Sequence, residues 1–361
     1  MEESSRYCKV CVTGGAGFIG SSLIKMLLDK GLYYVHATLR NLGDPIKVKV
    51  LKSMEGADTR LKLFEADIYN PQQFEVAIKD CQFVFHIATP LMHSPNSQYK
   101  DLIEASIGGV KSIITSCIRS GTVRRLIYTA SVMAASPLKD DDTGFMDFVD
   151  ENCWTPLHLP FVNSSIHKVH VDLRAGPCTI RALAICNYDY IISKTESEKE
   201  VLRFGEDGNM EVVTLVCGLV GGDTLLSYTP ATTAVLLCQI TEIESQYYQT
   251  FRCLEDLCGK IPIIHIHDIC EAHIFCIQND SINGRVLCAS NYVSSTEIAE
   301  CLEQTYPEFH VKQMYKEGPK RTIRWGSTKL TDHGFNYKYD MKMILDDCVN
   351  CSRRLDGLFS S

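Results

Sequence analysis

The sequence predicts an α/β protein with a doubly wound parallel sheet and a smaller C-terminal lobe. Apolar runs typical of buried strands alternate with stretches of helical periodicity up to residue 131. A glycine-rich turn joins the first strand to the first helix, and the order of strand then helix returns in the second half. Because parallel strands are connected by helices that cover both faces of the sheet, this order indicates a doubly wound fold.

The elements up to residue 131 follow from the apolar pattern and from the residues at their ends. Pro71 opens one helix, whereas Gly31 and Gly121 close two others. In chain order, the predicted elements are the strand "YCKVCVTGG", the helix "FIGSSLIKMLLDKG", the strands "LYYVHATLR" and "RLKLFEADI", the helix "PQQFEVAIKD", the strand "CQFVFHIATP", the helix "DLIEASIGGVKSIITSCIRSG" and the strand "VRRLIYTAS".

After residue 150 the pattern is irregular until the helix that carries "YDYIISK" at 188–194. Further on, "MEVVTLVCGLVGG" predicts a buried strand, and "IPIIHIHDICEAHIFCIQN" predicts a strand followed by a helix. Residues 291–361 are expected to be helix and loop. We therefore predict a sheet domain over 6–222, with a returning strand and helix near 261–290, and a smaller lobe from 223–260 and 291–361.

Composition and charge exclude several classes of protein. The 361 residues suffice for a large core and a second lobe, and 45% hydrophobic with 22% charged residues is typical of a globular protein. The net charge of -8 argues against a nucleic-acid partner. No apolar stretch of about 18 residues predicts a membrane span. The start "MEESSRYCKVCVTGG" lacks the features of a secretory signal, so we expect a cytoplasmic protein.

The 17 cysteines predict reduced, mostly buried thiols and no metal site. Cys8 and Cys11 lie on a predicted strand, where residues three apart face opposite ways. Cys348 and Cys351 share a predicted helix face, but no second pair completes four ligands. The two histidines of "HIHD", residues 265–268, are expected on one strand face and fit a structural role better than a metal site.

The glycine-rich turn predicts a dinucleotide site. Gly15, Gly17 and Gly20 match the pattern Gly-x-Gly-x-x-Gly, and Gly14, Gly17 and Gly20 match Gly-x-x-Gly-x-x-Gly. Glycine lets the backbone turn sharply and approach a pyrophosphate, whose charge is stabilised by free amides at the start of the helix. A role in the tight turn alone is the alternative.

The ends of the second and third strands predict which cofactor binds. An acidic residue after the second strand would bond the ribose 2'-hydroxyl of NAD, but this chain has Arg40, whose guanidinium suits the 2'-phosphate of NADP. Lys47 can add a second cation, although a solvated surface lysine is the alternative. At the end of the third strand, Asp67 can accept the adenine amino group and Ile68 can pack on the ring. NADP(H) is the predicted cofactor.

A tyrosine and a lysine in "YDYIISK" form a candidate proton donor. Tyr190 and Lys194 are four apart and share a helix face, whereas Tyr188 is followed at that spacing by Ile192. A nearby ammonium favours the phenolate and so lowers the pKa of a tyrosine. Ser131, in "YTAS", ends the fifth strand at the sheet edge where ligands of such folds bind. The alternatives are a chance pair on a solvated helix and a serine that caps a turn.

Together these motifs resemble the extended short-chain dehydrogenase/reductase family, and more narrowly the plant dihydroflavonol, anthocyanidin and vestitone reductase group. The similarity runs in order through almost the whole chain. The matching segments are "VTGGAGFIG", "ATLRN" with Lys47, "FEADI", "CQFVFHIATP", "YTAS", "VDENCW", "YIISKTESEKEVL", "HIHDICEAHIFC" and "TKLTDHGFNYKY".

The resemblance implies an NADPH-dependent reductase on a Rossmann sheet, with the smaller lobe binding the substrate. Ser131, Tyr190 and Lys194 would be its catalytic trio: Lys194 would hold the nicotinamide ribose and lower the pKa of Tyr190, Tyr190 would protonate the substrate oxygen, and Ser131 would fix that oxygen. The cofactor-binding residues would be Gly14, Gly15, Gly17, Phe18, Ile19, Gly20, Arg40, Lys47, Asp67, Ile68, Ile87, Ala88, Thr89, Tyr190, Lys194, Cys217 and Val220.

This chain departs from the group at several positions. Where the relatives carry "VRD", residues 39–41 read "LRN" and keep the arginine. Cys217 stands where they commonly have a proline near the nicotinamide carboxamide, and Ser136 stands where dihydroflavonol reductases have a substrate-binding asparagine. The signature "NWYCYGK" of cinnamoyl-CoA reductases is not matched by "NYDYIISK", which disfavours a CoA thioester.

The span 154–190 is longer than in the relatives by on the order of twenty residues. A substrate lid, a tolerated surface insertion and a gene-model artefact remain open, and we favour the last two. The spacing of its histidines and cysteines is too irregular to predict a metal site; they are His158, His167, His170, Cys178 and Cys186. Recovery of residues 163–184 by peptide mapping of the natural protein would exclude the artefact.

The leading hypothesis is an NADPH-dependent reductase of a flavonoid-like or other aromatic carbonyl compound. Its only expected partner is this small molecule, and the chain is a monomer or a homodimer. One alternative is a non-catalytic NADP-binding sensor or scaffold, since fold does not fix function. Another is a reductase of a small aldehyde or a sterol-type ketone.

Overall fold

The computed structural model describes residues 7–91, 93–94, 97–159, 188–208, 210–241 and 245–355. Within these ranges the chain forms two compact units. The first unit consists of Met1–Ala130, Glu196–Leu215 and Cys270–Val286, and the second consists of Ser131–Thr195, Val216–Ile269 and Leu287–Ser361.

Strands of the described ranges build one large sheet and two small ones. The strands are β1 (Cys8–Thr13), β2 (Tyr33–Leu39), β3 (Leu61–Glu65), β4 (Phe83–His86), β5 (Arg125–Ser131), β6 (Phe148–Val149), β7 (Glu211–Cys217), β8 (Leu219–Gly221), β9 (Ile261–His265), β10 (Gly284–Cys288), β11 (Asn291–Val293) and β12 (Arg324–Trp325). The seven-stranded parallel sheet has the order β10-β7-β5-β4-β1-β2-β3. Its order reverses between β1 and β4, the place where such sheets bind ligands.

The helices of the described ranges include those that the sequence predicts by residue and others that it does not. They are α1 (Phe18–Asp29), α2 (Pro45–Lys52), α3 (Ala57–Arg60), α4 (Phe74–Ile78), α5 (Leu102–Ser120), α6 (Tyr188–Glu206), α7 (Ala231–Leu236), α8 (Ser245–Cys258), α9 (Ile266–Gln278), α10 (Ser295–Thr305), α11 (Lys329–Asp332) and α12 (Met341–Arg354). Gly121 ends α5 with a left-handed φ of 65°, as predicted. Pro71 opens a 3-10 turn that leads into α4.

The predicted doubly wound parallel sheet is confirmed. Two expectations about local structure differ from what is observed. The histidines of "HIHD" do not share a strand face, because β9 ends at His265 and His267 lies in the first turn of α9. The backbone N–H of His267 donates to Nδ1 of His265 over 3.1 Å, so the imidazole pairs an amide at the helix start.

The second unit also contains strands that the sequence did not predict. Residues 291–361 were expected to be helix and loop, but β11 pairs antiparallel with β9, and β12 pairs with β6. These strands are two or three residues long. Such segments are too short to carry a period-two pattern, and pairing with distant residues defines them.

Arg125 anchors the first unit at the start of β5. Its side chain is 1% exposed, and Nε donates to Oε2 of Glu211 over 2.8 Å. The guanidinium also donates to the carbonyl oxygens of Cys276, Asn279 and Asp280, at and beyond the end of α9. A positive charge at this end of a helix stabilises the unpaired carbonyl groups.

No helix in the described part of the chain combines the length and the apolar character that a membrane crossing requires.

Candidate active site

The turn between β1 and α1 is built on glycines that no larger residue can replace without a shift. Gly14 has a φ of 70°, and its N–H donates to Oγ1 of Thr38 over 3.3 Å. The N–H of Gly15 donates to the Thr38 carbonyl over 2.9 Å. A Cβ on Gly20 would lie 2.2 Å from the Gly14 carbonyl oxygen. The turn therefore folds tightly back on the helix start.

The first turn of α1 presents backbone amides without protein acceptors. The N-cap is Gly17, which offers no side chain, and no acidic residue lies in the first turn. The amides of Phe18, Ile19 and Gly20 donate to no residue that the structure describes. Such a helix start attracts an anion, because free N–H groups and the helix dipole act together. The predicted glycines thus lie beside amides that could bind an anion.

Thr13 ties the end of β1 to the end of β4, a link that the sequence did not reveal. Its hydroxyl oxygen accepts the N–H of Ile87 over 3.0 Å and of Ala88 over 3.1 Å. With both lone pairs engaged, the hydroxyl donates its proton to Nδ1 of His86 over 2.9 Å. This arrangement fixes two of the predicted cofactor residues, Ile87 and Ala88, beside the glycine turn, where Cα of Ala88 lies 3.1 Å from a Cβ built on Gly14.

The two cations proposed for the 2'-phosphate differ in availability. Arg40, directly after β2, is exposed and makes no hydrogen bond or ion pair with any residue in the described ranges. Lys47 is already paired, since its Nζ lies 3.0 Å from Oδ2 of Asp44. The hydrogen bond from the Lys47 backbone N–H lowers the pKa of the Asp44 carboxyl most, and the bond from the Lys47 side chain lowers it further. Arg40 is therefore the freer charge at this edge.

Asp67 and Ile68 follow β3, but their side chains are engaged within the first unit. Oδ1 of Asp67 accepts the N–H of Tyr69 over 3.1 Å. Ile68 is 7% exposed and packs on α5, where a Cβ on Gly109 would lie 2.2 Å from its Cγ1. The adenine contacts of these two residues remain a prediction.

The proposed catalytic residues all belong to the second unit. Ser131 is the last residue of β5, and its hydroxyl accepts the Met133 N–H over 3.3 Å at the start of the 3-10 turn Val132–Ala134. Tyr190 and Lys194 lie one turn apart in α6, and both are buried, with 9% and 4% of their surface exposed. The spacing places them on one helix face.

The chain between β7 and β8 passes close to other backbone. Cys217 ends β7 and Val220 lies in β8, both buried. Between them, the N–H of Gly218 donates to the Cys288 carbonyl over 3.0 Å, and a Cβ there would lie 2.7 Å from the Pro262 oxygen. Glycine is thus required at position 218, where the chain passes against the backbone of β9.

Ser136 does not offer its hydroxyl to a ligand. The residue is fully buried, its Oγ donates to the Leu257 carbonyl over 2.5 Å, and it accepts the Leu138 N–H over 3.1 Å. The serine at this position therefore supports the turn after β5 and the end of α8.

Among the described residues, no three histidine, cysteine or acidic side chains are grouped as metal ligands. His158 is hydrogen-bonded through Nε2 to the Asp140 carbonyl, 3.0 Å away. The other histidines and cysteines of the long span, at 167, 170, 178 and 186, lie outside the described residues.

Comparison with known proteins gives consistent matches. The 3-beta hydroxysteroid dehydrogenase/isomerase family matches residues 11–152. A putative anthocyanidin reductase of Ginkgo biloba is 33% identical over 343 residues, covering 94% of this chain and 93% of the relative. A dihydroflavonol 4-reductase of Callistephus chinensis is 33% identical over 347 residues, covering 94% and 86%.

Solved structures agree with this fold. Vestitone reductase from alfalfa (Medicago sativa) superposes with a TM-score of 0.73 and 29% identity, covering 96% of this chain and 98% of that structure. The yeast methylglyoxal/isovaleraldehyde reductase Gre2, solved with NADPH, superposes with a TM-score of 0.72 at 17% identity, covering 96% and 99%, which speaks for the fold.

Proposed function

The chain belongs to the reductase family of the plant anthocyanidin reductases and dihydroflavonol 4-reductases, and we propose that it reduces a flavonoid-like or other aromatic carbonyl compound with NADPH. The observation that carries the proposal is 33% identity sustained over 94% of the chain. Relatives of this extent share their fold and the class of their reaction, an oxidoreduction between C=O and CH–OH groups.

The first unit offers groups that fit the phosphates of the cofactor. The pyrophosphate would bind the free amides of Phe18, Ile19 and Gly20, whose position depends on the close packing of Gly20 on Gly14. Arg40 would pair with the 2'-phosphate, because its guanidinium is exposed and otherwise unpaired among the described residues. These contacts favour NADPH over NADH.

The proposed chemistry uses three side chains of the second unit. When bound, the nicotinamide supplies a hydride to the substrate carbon. Tyr190 would donate the proton of its Oη to the carbonyl oxygen, and Lys194, one helical turn on, would stabilise the phenolate that remains. Ser131 would hold the same oxygen by a hydrogen bond from Oγ.

The proposal also includes the domain boundaries, the location and the oligomeric state. The domain boundaries remain 6–222 with 261–290, and 223–260 with 291–361. A cytoplasmic location agrees with the described cysteines, none of which forms a disulfide. The chain acts as a monomer or a homodimer. No observation favours a non-catalytic sensor or a sterol-type substrate.

Turnover with a substrate panel tests the proposal. NADPH oxidation by the purified protein is followed by absorbance with dihydroflavonols, anthocyanidins, isoflavanones and aromatic aldehydes, with NADH in parallel. We expect turnover with one aromatic class, faster with NADPH. Tyr190→Phe should retain NADPH binding and lose turnover, whereas Tyr315→Phe, in the 3-10 turn Gln313–Lys316, should match the wild type. Tight NADPH binding without turnover on the whole panel would contradict the proposal.

A further inference from the structure

The turn that carries Ser131 is hydrogen-bonded to the chain at Thr155. The Thr155 hydroxyl donates to the Met133 carbonyl over 2.6 Å, and the Thr155 N–H donates to the Ala134 carbonyl over 3.1 Å. Thr155 is 3% exposed, so both bonds are shielded from water. Because Ser131 Oγ accepts the Met133 N–H, the peptide groups of Met133 connect Ser131 with Thr155.

The same short segment is bonded to the helix that carries Tyr190. Two residues after Thr155, the Leu157 carbonyl accepts a hydrogen bond of 3.1 Å from the hydroxyl of Tyr188, the first residue of α6. Residues 157 and 188 are 31 positions apart in the chain, yet this bond joins them directly. The two ends of the long span therefore meet beside the first turn of α6.

The Ser131 turn also contacts the end of α8. Sγ of Cys258 lies 3.5 Å from the Val132 carbonyl oxygen, and the Ser136 hydroxyl donates to the Leu257 carbonyl. The turn therefore has two supports, Thr155 and the end of α8. Of the two supports, the one through Thr155 also reaches α6.

We propose that Thr155 and Tyr188 are positioning residues of the reductase. With Met133 and Leu157 they form a hydrogen-bonded brace, Met133–Thr155–Leu157–Tyr188, that fixes the position of Ser131 relative to Tyr190. The brace rests on the proposed catalytic roles of Ser131 and Tyr190. Neither brace residue touches the reacting atoms; each acts through the backbone that carries a proposed catalytic side chain. Tyr188 thereby has a function distinct from the one proposed for Tyr190.

Positioning has a kinetic signature that differs from stability. Proton donation and oxygen binding depend on sub-ångström placement, so a small displacement lowers kcat while the binding of NADPH is kept. A residue that merely stabilises the fold would lower the fraction of active protein and leave kcat per folded site unchanged. Normalising kcat to the number of NADPH-binding sites separates the two.

The experiment compares Tyr188→Phe and Thr155→Val with matched controls in the same unit. Tyr188→Phe keeps the ring and removes the bond to Leu157. Tyr306→Phe is its control. It removes a hydrogen bond of 2.7 Å that the hydroxyl of Tyr306, directly after α10, donates to Asp346 in α12. Thr155→Ser keeps the hydroxyl and should restore most of the kcat that Thr155→Val loses.

We expect Tyr188→Phe and Thr155→Val each to lower kcat per site roughly 10- to 100-fold with an unchanged Kd for NADPH. Their double variant should lose less than the product of the single losses, because both residues lie on one path. Hydrogen exchange, which needs no substrate, should accelerate in peptides 131–136 and 188–195 of Tyr188→Phe, and in neither peptide of Tyr306→Phe.

Unchanged exchange in both peptides, or wild-type kcat per site in Tyr188→Phe, would overturn the brace. Failure of the brace and failure of the proposed function are distinguished by Tyr190→Phe. If that variant loses turnover while Tyr188→Phe retains it, only the brace is wrong. If Tyr190→Phe itself retains turnover, the catalytic assignment is wrong.

Discussion

Arg285 and Glu198 form a buried ion pair in the first unit. Nε of Arg285 lies 2.9 Å from Oε1 of Glu198, and their side chains are 6% and 0% exposed. The Thr214 hydroxyl donates to the same carboxylate oxygen over 2.8 Å. Three elements, α6, β7 and β10, therefore meet at one carboxylate.

Removing the arginine alone should destabilise the protein strongly. Arg285→Met leaves a buried carboxylate without its cation, which we expect to lower the free energy of unfolding by about 3–5 kcal/mol. Urea denaturation followed by circular dichroism measures the change. Arg203→Met is the control: it removes an ion pair with Glu200 in which the arginine side chain is 67% exposed, and should cost no more than about 1 kcal/mol. Equal losses in the two variants would contradict the argument.

Gly20 should be indispensable for NADPH binding. Gly20→Ala places a methyl group 2.2 Å from a backbone oxygen, so the turn must open and the free amides of α1 must move. We expect the Kd for NADPH, from fluorescence titration, to rise at least about 10-fold.

Gly31→Ala, at the other end of α1, is the matched control. It has a φ of 71° with nothing within 4 Å of the added Cβ. It should cost about 1 kcal/mol of stability through its left-handed backbone and leave the Kd unchanged. Similar Kd values for the two variants would show that the turn tolerates the methyl group.

Arg40 should determine the preference for NADPH over NADH. Arg40→Gln removes a charge-assisted contact to the 2'-phosphate, so kcat/KM with NADPH should fall roughly 10- to 100-fold while kcat/KM with NADH stays constant. For Lys47→Gln, kcat/KM with NADPH should fall less than about 3-fold, because the Lys47 ammonium is already paired with Asp44. A parallel loss with both cofactors would instead indicate damage to the fold.

Local patterns predicted most of the sheet and the glycine turn, because each depends on neighbours within a few residues. The strand β10 was not predicted as a separate element. It begins with Gly284 and Arg285, a pair that does not resemble a buried strand, and Arg285 pairs there with Glu198, 87 positions earlier. Such long-range compensation leaves no periodic signal in the sequence.

The candidate site likewise has features that local spacing predicts and features that depend on distant residues. The spacing of Tyr190 and Lys194 predicts a shared helix face, and the structure places both in α6. The links from Thr13 to residues 86–88, and from Tyr188 to Leu157, join segments distant in the chain. The sequence around a threonine or tyrosine does not predict a hydrogen-bond partner that is distant in the chain. These contacts are therefore seen only in the structure.

His265 should make the stability of the second unit depend on pH. Its Nε2 lies 3.1 Å from Oδ2 of Asp347, its Nδ1 accepts the His267 N–H, and its ring stacks on Tyr339 with centroids 3.6 Å apart. Burial lowers the pKa of His265 to about 4, although the carboxylate of Asp347 acts in the opposite direction. The imidazole is therefore neutral at pH 7, and Nε2–H donates to Asp347.

The sign follows from the two states. In the unfolded chain the imidazole has a pKa of about 6.5, so protons bind the unfolded state more strongly. The contribution of the neutral imidazole to the free energy of unfolding is complete above about pH 6.5. It is lost as the pH falls toward 4, and the total loss is about 3 kcal/mol. The charges of Asp347, His267 and Asp223 act on the ring, and all three residues remain in a His265→Gln variant. The difference between the two stability curves therefore isolates His265. The wild type should decline more steeply between pH 6.5 and 4, and parallel curves would mean that folding leaves the pKa of His265 unchanged.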